Sequence, residues 1–443
     1  MHSVDFFDTR IIEGTTTSIV LDNDKIEQIS VNFTKGAAVR ALKGGSWGFT
    51  SADGDFDIEK AIRSASELAA SMDEKSSKEK VHIKEIANPV VTNLPKVKKN
   101  PLDVSLEEKV QNLTEFGKHA KMDGISSTSA VYSESTYKIM YSDSTGIEGE
   151  YDITRTGFAI SAVASREGVY QAGRESRFGV AGYELFDKHD SFGLAESAAK
   201  TALELLDAKP ASGGTLPVIL DPELAGVFAH EAVGHASEAD LVLEGSSILE
   251  NKIGQEIASP LINVIDDPTL HEYGYFPFDD EGSQAKKTVV IKDGVLNSYL
   301  HSRETAAKLG GKPGHSRAQG HSRPIVRMSN TYIDSGKSNF EEMLEEIGNG
   351  VYLIGSRGGQ VNTGEGVFQF NAEKGYLIEN GELTTLLRDV SLSGKTLEIL
   401  NNVKMVGNDL EMNSGRCGKG GQLVPVTDGS PHLMISKAMV GGA

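Results

Sequence analysis

The sequence His230-Glu231-Ala232-Val233-Gly234-His235 places two imidazoles and one carboxylate within six residues. Asp221 precedes it as a good N-cap, and Pro222 suits the first position of a helix. Upstream, Leu216–Leu220 is a short apolar run of the kind found in strands. The pattern predicts a strand that leads directly into a helix, with the two histidines on that helix.

The spacing of the two histidines decides how the helix must be built. In the familiar zinc-protease helix the histidines are four residues apart and share one face. His230 and His235 are five apart, which separates them by about 140° on an ideal α-helix. One metal ion therefore needs a π-type bulge or a helix that ends near Gly234, where glycine would relax the backbone. A buried helix with polar residues near its end is the alternative that spacing alone leaves open.

The motif His-Glu-x-x-x-His and a second, distant segment together resemble the TldD/PmbA family of metallopeptidases. The second segment is Gly418–Val426, which directly follows Cys417. The resemblance is clearest from 217 to 442, and it implies that His230 and His235 are metal ligands and that Glu231 is catalytic. At the front the chain departs from the family pattern. It opens almost directly on strand-like residues instead of an additional helix, so we expect a trimmed first domain.

A catalytic zinc takes three protein ligands and keeps one open position. From the residues alone, the third ligand is either Glu238 or a residue brought in from elsewhere by folding. The resemblance favours Cys417, and we expect Arg416 and Lys419 beside it to stabilise a thiolate. A small buried hydrophobe is the alternative role for a lone cysteine. Glu238 and Asp240 are expected to orient an imidazole rather than to bind the metal.

The resemblance implies a metal-dependent peptidase that hydrolyses extended peptides or unfolded polypeptides by metal-activated water. We expect one zinc ion per subunit, with another divalent transition metal as the alternative, and Glu231 as the general base. It also implies a homodimer, or a heterodimer with a sister subunit that lacks the histidine motif. Two other classes stay open: a non-catalytic peptide-binding or scaffold subunit of a peptidase complex, and a thiol or redox enzyme built on Cys417.

Composition narrows the class of protein and its partners. The 443 residues include 63 acids and 44 bases, a formal charge of −19 that would repel nucleic acid over most of the surface. The single cysteine excludes an intramolecular disulfide. No run approaches the roughly 18 apolar residues of a membrane span. We therefore expect a cytoplasmic protein that binds neither nucleic acid nor membrane.

The distribution of strand and helix patterns predicts an α+β fold in three units. A small α+β domain over 1–75 and a middle α+β domain over 76–212 both show a strand meander followed by a helix, and a β-rich domain over 213–443 carries the metal-site helix. Their strongest local signals are hairpins at Asp22–Asp24, Asp293–Gly294 and Asn380–Gly381, and helix starts at Asp57, Ser105 and Ser338.

Two further stretches have more than one interpretation. Residues 301–323 contain three His-Ser-Arg repeats, which predicts either a mobile cationic loop that binds a peptide carboxylate or gates the site, or an exposed loop that balances the protein's own acids. Gly355–Val361 exposes its backbone through glycines, so it either pairs with an extended peptide or forms an ordinary turn.

Overall fold

An antiparallel six-stranded sheet occupies the N-terminal half of the chain, of which the computed structural model describes residues 4–73 and 80–442. Its strands are β1 (Phe6–Asp22), β2 (Lys25–Lys43), β3 (Ser46–Asp53), β4 (Ile125–Asp143), β5 (Glu148–Arg166) and β6 (Val169–Gly179). The order β3-β2-β1-β4-β5-β6 joins both predicted N-terminal units in one sheet. The predicted boundary between residues 75 and 76 lies outside the described residues, and the division into three units stays a prediction.

The predicted first hairpin is confirmed, and its turn explains why these residues were recognisable. Asn23 and Asp24 have positive φ angles of 49° and 62°, a conformation that asparagine and aspartate tolerate better than most residues. From this turn β1 and β2 pair along their whole length, with one bulge between Val20 and Leu21. The result is a pair of strands much longer than the five or six residues of an average strand.

Helices cover one face of this sheet. They are α1 (Ile58–Asp73), α2 (Leu106–His119), α3 (Glu184–Lys188) and α4 (Ser191–Asp207). The Ser105 side chain caps α2 by accepting a hydrogen bond from the Glu108 amide at 3.1 Å, as predicted. Phe116 of α2 packs on Phe158 of β5 and on alanines of α4 in one apolar cluster. Residues 80–100 cross from the first helix to the second without regular secondary structure.

The C-terminal part of the chain is β-rich, which confirms the predicted fold class. Its strands are β7 (Lys209–Pro210), β8 (Gly214–Leu220), β9 (Val264–Asp266), β10 (Thr288–Lys292), β11 (Val295–Leu296), β12 (Ser316–Arg317), β13 (Ile325–Val326), β14 (Asn330–Ile333), β15 (Gly350–Ile354), β16 (Gly359–Asn362), β17 (Val367–Asn371), β18 (Lys374–Glu379), β19 (Glu382–Arg388), β20 (Val390–Lys395), β21 (Val403–Val406), β22 (Glu411–Lys419), β23 (Gln422–Ser430) and β24 (Leu433–Gly442). Its helices are α5 (Pro222–Phe228), α6 (Ala239–Leu243), α7 (Arg303–Leu309), α8 (Phe340–Ile347) and α9 (Thr396–Asn401).

Helix α8 begins one residue later than predicted. Asn339, not Ser338, is its N-cap, and the Asn339 side chain accepts a hydrogen bond from the Glu342 amide at 2.9 Å. Ser338 forms a bridge to Gly407, and Asn339 after it is also extended, with φ −106° and ψ 169°, so the helix cannot begin before Phe340. The two predicted hairpin turns at Asp293–Gly294 and Asn380–Gly381 are confirmed.

Two sheets of the C-terminal part bring the candidate site together. Strand β8 lies between β24 and β15 in the larger sheet and leads directly into α5. The β22–β23 hairpin forms one edge of the other sheet and packs against α5. Most of the buried side chains of both sheets join one large apolar cluster around α5. Across the described ranges, no helix is both long and apolar enough to cross a membrane.

Candidate metal centre

The helix that carries the histidine motif changes its geometry within the motif. Asp221 caps α5 by accepting a hydrogen bond from the Leu224 amide at 2.8 Å. A π turn over Ala229–Gly234 then replaces the α-helix, and the His235 amide donates to the His230 carbonyl five residues earlier. The five-residue spacing of the motif therefore equals the hydrogen-bond span of a π turn. This confirms the expected helix distortion, and the two imidazole centroids are 5.3 Å apart.

Gly234 serves this turn through packing rather than through an unusual backbone angle. Its φ and ψ are both −57°, ordinary helical values that any residue adopts. A β-carbon at this position would collide with the thioether of Met328, which packs directly against the turn. Only glycine lets the neighbouring segment approach the motif so closely.

Cys417 comes to the two histidines from a distant part of the chain. It lies on β22, and its side chain is buried. Its Sγ is 3.3 Å from Nε2 of His235, a residue 182 positions away in sequence. One donor atom from each of His230, His235 and Cys417 lies within 4.8 Å of the other two. The structure thus brings together the three residues predicted as ligands.

The charge environment of Cys417 differs from the expected one. Burial opposes ionisation of the thiol, but the adjacent His230 and His235 outweigh burial and lower the pKa of Cys417 to about 4. Lys419 does not contact the thiol, because its Nζ binds the carboxylate of Asp240 at 2.8 Å. Arg416 is exposed, and alternation along the strand directs it away from Cys417. Histidines, rather than the neighbouring bases, stabilise the thiolate.

Glu238 holds His235 in one orientation. Its Oε2 is 2.9 Å from Nδ1 of His235, which leaves Nε2 directed at Cys417. Lys419 is 3.1 Å from the same Oε2, and its second carboxylate partner is Asp240. Burial opposes the charge on Glu238, but His235 and Lys419 outweigh it and lower the pKa of Glu238. Glu238 therefore orients an imidazole, as the sequence suggested. Asp240 does not, because its carboxylate contacts Lys419 instead of a histidine.

His230 has an unpaired ring nitrogen. Its Nδ1 is buried and has no hydrogen-bond partner within residues 4–73 and 80–442. Buried polar atoms are almost always paired, so this atom is suited to a ligand such as a metal ion. Glu231 lies beside the cluster with its side chain 29% exposed, and its Oε2 is 3.9 Å from Nε2 of His235.

The His-Ser-Arg segment over 301–323 is not an exposed loop over most of its length. His301, Arg303, His315 and Arg317 are all buried, and Arg303 pairs with Asp143 at 3.1 Å. Helix α7 and strand β12 both belong to this segment. The segment packs between the N-terminal sheet and the C-terminal part of the chain and connects the two.

Gly355–Val361 forms a turn followed by an edge strand. Gly355 and Gly358 have positive φ angles of 66° and 84°, and the Gly355 amide donates to Asp221 at 2.9 Å. The chain then enters β16, which among the described residues pairs only with β17. The stretch is therefore an ordinary turn that leads into an open strand edge, and pairing of that edge with an extended peptide stays a prediction.

Family models match the chain in three consecutive segments. They are described as PmbA/TldA metallopeptidase domain 1 over residues 7–69, the central domain over 99–206, and the C-terminal domain over 213–442. The last match covers more than half of the chain and includes both motifs. The chain belongs to the PmbA/TldD metallopeptidase family. The resemblance seen in the sequence is therefore confirmed.

Relatives within the PmbA/TldD family carry names that point to peptidase chemistry. A metalloprotease of Archaeoglobus fulgidus is 45% identical over 99% of this chain and all of its own length. A zinc metalloprotease TldD homolog of Saccharolobus solfataricus is 30% identical, over 99% of this chain and 96% of that protein. The crystal structure of TldE from Thermococcus kodakarensis has the same fold, with a TM-score of 0.78 at 20% identity, covering 99% of this chain and 97% of that one.

Two residues near the centre of this PmbA/TldD chain were not identified from the sequence. Asp428 lies close to His230 and Glu231, and burial raises its pKa to about 6 although His230 opposes the shift. Arg327 is fully buried and donates to the Cys417 carbonyl. An Asp-Gly pair such as Asp428–Gly429 is typical of turns, so no local signal marked Asp428 as part of a strand beside the histidines.

Proposed function

We propose that this chain is a metal-dependent peptidase that hydrolyses extended peptides or unfolded polypeptides, with one zinc ion per subunit. The observation that carries the proposal is the convergence of His230, His235 and Cys417, whose donor atoms lie within 4.8 Å of one another. The names of the relatives agree with it. A cytoplasmic location stays a prediction.

The donor set fits zinc. Two imidazole nitrogens and one thiolate sulfur are ligands that zinc favours, and three protein ligands are typical of a catalytic site. The unpaired Nδ1 of His230 and the lowered pKa of the Cys417 thiol agree with binding of a cation. Zinc held there supplies Lewis acidity, which makes water more acidic and polarises a peptide carbonyl. Another divalent transition metal is the alternative.

Glu231 is the proposed proton carrier. Its carboxylate is part-exposed and lies 3.9 Å from His235, so it reaches both the ligand cluster and an incoming peptide. As a general base it accepts a proton from the attacking water, and it then donates that proton to the leaving amine nitrogen. Glu238 and Lys419 hold His235 in place during this exchange.

Strand β22 supports the proposal that the peptide is bound in extended form. Within the described part of the chain, β22 pairs with β23 on one side and has no strand on the other. An extended peptide can add to such an edge through main-chain hydrogen bonds, with little dependence on its sequence. Because Cys417 belongs to this strand, a peptide added here passes next to the proposed metal ligands.

Glu231→Gln tests the proposed chemistry while preserving the shape of the side chain. We expect the purified variant to keep one zinc ion per subunit and to lose about 10²–10⁴-fold in the rate of peptide hydrolysis, the usual contribution of general base catalysis. Elemental analysis and a fluorogenic unstructured peptide measure the two quantities. Glu244→Gln is the matched control, since Glu244 is an exposed glutamate outside the cluster.

Undiminished hydrolysis by Glu231→Gln would contradict the mechanism. Wild-type protein that binds peptides, contains no metal and hydrolyses nothing would instead support the non-catalytic peptide-binding or scaffold subunit.

We also propose that the chain pairs with a second subunit of its family, either a second copy or a sister subunit without the histidine motif. In the described chain, residues 25–34 of β2 have β1 on one side and no strand on the other. This edge exposes Val31 and Phe33, the latter by 66%. Open apolar strand edges invite pairing with another chain.

Phe33→Lys should weaken this association, which sedimentation velocity measures for the chain alone and for the chain coexpressed with a TldE-type subunit. Leu68→Lys, an exposed apolar position on α1, is the control. Wild-type protein that stays monomeric in both preparations would contradict the proposal.

A further inference from the structure

A cavity of about 610 Å³ lies between the N-terminal sheet and the β22–β23 hairpin. Strands β1, β4 and β5 line one side, and Arg416 and Pro425, which are opposite each other in the hairpin, line the other. Successive residues of a strand point to opposite faces. The cavity is therefore on the face of β22 opposite to Cys417 and the proposed metal ligands.

Four arginines line this cavity: Arg10, Arg155, Arg317 and Arg416. Their concentration is unusual for a chain with a net charge of −19. Burial and the positive charge of Arg155 lower the pKa of Arg317 to about 10. The guanidinium groups are thus close enough to repel one another, a cost that an anion in the cavity would offset.

Arg155 and Arg317 form hydrogen bonds with backbone carbonyls. Arg155 donates to the carbonyls of Tyr273 and Tyr275 at 3.0 and 2.7 Å. Arg317 donates to the Met328 carbonyl at 2.6 Å. Neither forms an ion pair with any carboxylate of the described residues, and Arg416 forms none there either. Carbonyl oxygens orient a guanidinium group but leave its charge uncompensated.

The carboxylates that line the cavity do not balance the four arginines. Asp280 pairs with Arg10 at 3.2 Å. Glu134 is already paired with Lys109 at 2.7 Å. Asp279 accepts hydrogen bonds from the backbone amides of Glu281, Ser283 and Ser316, so its carboxylate has partners other than the arginines. The cavity therefore keeps an excess of positive charge in partly buried surroundings, where charge interactions are stronger than in water.

The position of Arg416 connects the cavity to the proposed peptide path. In paired strands, side chains directly opposite one another have β-carbons about 4.5–5.5 Å apart. A peptide added to the open edge of β22 thus places one side chain opposite Arg416 and the adjacent one opposite Cys417. The side chain opposite Arg416 points towards the cavity.

We propose that this cavity is a subsite for a carboxylate of the bound peptide, next to the bond that is cleaved. The carboxylate comes either from an aspartate or glutamate side chain or from the peptide's C-terminus. The protein accordingly prefers acidic peptides over neutral ones of the same length. This inference rests on the proposed peptidase function, but binding tests it without hydrolysis.

Calorimetric titration of the zinc-loaded, full-length Glu231→Gln protein provides the test. The first probe pair is an acetylated, amidated alanine hexapeptide with either glutamate or glutamine at one position, scanned along the peptide. The second pair is acetyl-hexaalanine with a free or an amidated C-terminus. We expect the charged member of one pair to bind about tenfold more tightly, the ratio expected for one charge-assisted hydrogen bond.

Arg416→Gln in the same background should reduce that preference to about twofold, since an exposed guanidinium group is removed without disturbing the fold. Arg63→Gln, an exposed arginine on α1, should leave the preference unchanged. A thermal unfolding curve that matches the parent protein shows that Arg416→Gln is folded.

Equal affinities within both probe pairs would overturn the subsite and leave the peptidase proposal intact. Inorganic phosphate that displaces the acidic peptide and binds more tightly than it would also overturn the subsite, because the cavity would then be selective for phosphate. A preference for acidic peptides in a protein that hydrolyses nothing as wild type would support the subsite and contradict the peptidase.

Discussion

Cys417 and Arg416 are adjacent residues of β22, but their side chains lie in two regions that differ in how their charges are paired. Around Cys417 most charges have a partner: His235 contacts Glu238, and Lys419 contacts Glu238 and Asp240. Around Arg416 the guanidinium groups outnumber the carboxylates. Alternation along β22 separates the two regions by the thickness of a sheet.

The difference indicates what each region is built to hold. A paired network positions its members rigidly, which suits a centre that must hold a small cation with fixed geometry. Unpaired charges in a cavity keep their attraction for a partner that is not part of the chain. A single strand can thus carry part of a metal centre on one face and part of a substrate subsite on the other.

Substitutions of Cys417 and of Arg416, made separately, should give the largest difference in zinc content. Cys417→Ala removes one of three proposed ligands, so we expect elemental analysis to find almost no zinc and peptide hydrolysis to be lost. The loss should exceed the roughly 10–100-fold cost of removing an outer partner of a ligand. Arg416→Ala should keep a full complement of zinc. Cys417→Ala protein that retains its metal but loses activity would point to thiol chemistry instead.

Much of the fold was predictable from the sequence because its signals are local. The turns at Asn23–Asp24 and Asn380–Gly381 need positive φ angles that few residue types tolerate, so their residues identify the hairpins. The distortion at His230–His235 was predictable as well, because only a π turn or a helix end brings histidines five residues apart to one side.

What could not be predicted depends on contacts between distant segments. Lys419 was expected to stabilise the thiolate of Cys417, but the fold places Asp240 and Glu238 nearer to its ammonium group. Arg155 lies on β5 and Arg317 lies in the segment over 301–323, and these two segments come together only after folding. The excess positive charge around the two arginines therefore depends on a contact between distant parts of the chain. No sequence pattern within either segment predicts this contact.

Weakening the paired network should have a smaller effect than removing a ligand. Glu238→Gln keeps the size of the side chain but lowers its ability to accept from Nδ1 of His235. We expect metal affinity to fall about 10–100-fold, measured by competition with a chelator. Asp240→Asn should cost less, because Asp240 contacts Lys419 rather than His235. An affinity that is unchanged in Glu238→Gln would show that the network does not position His235.

The smallest expected effect is a difference in salt dependence between the two regions. At 0.5 M ionic strength the screening length is roughly half of its ~10 Å value at 0.1 M, so interactions of part-exposed charges weaken while those of buried pairs persist. We therefore expect added salt to reduce the affinity of Glu231→Gln protein for an acidic peptide several-fold, and to leave its affinity for the matched neutral peptide and its zinc content unchanged. Equal losses for the two peptides would show that salt weakens the general binding of peptides rather than a contact between Arg416 and a carboxylate. The comparison thus assigns the charge dependence of binding to one face of β22.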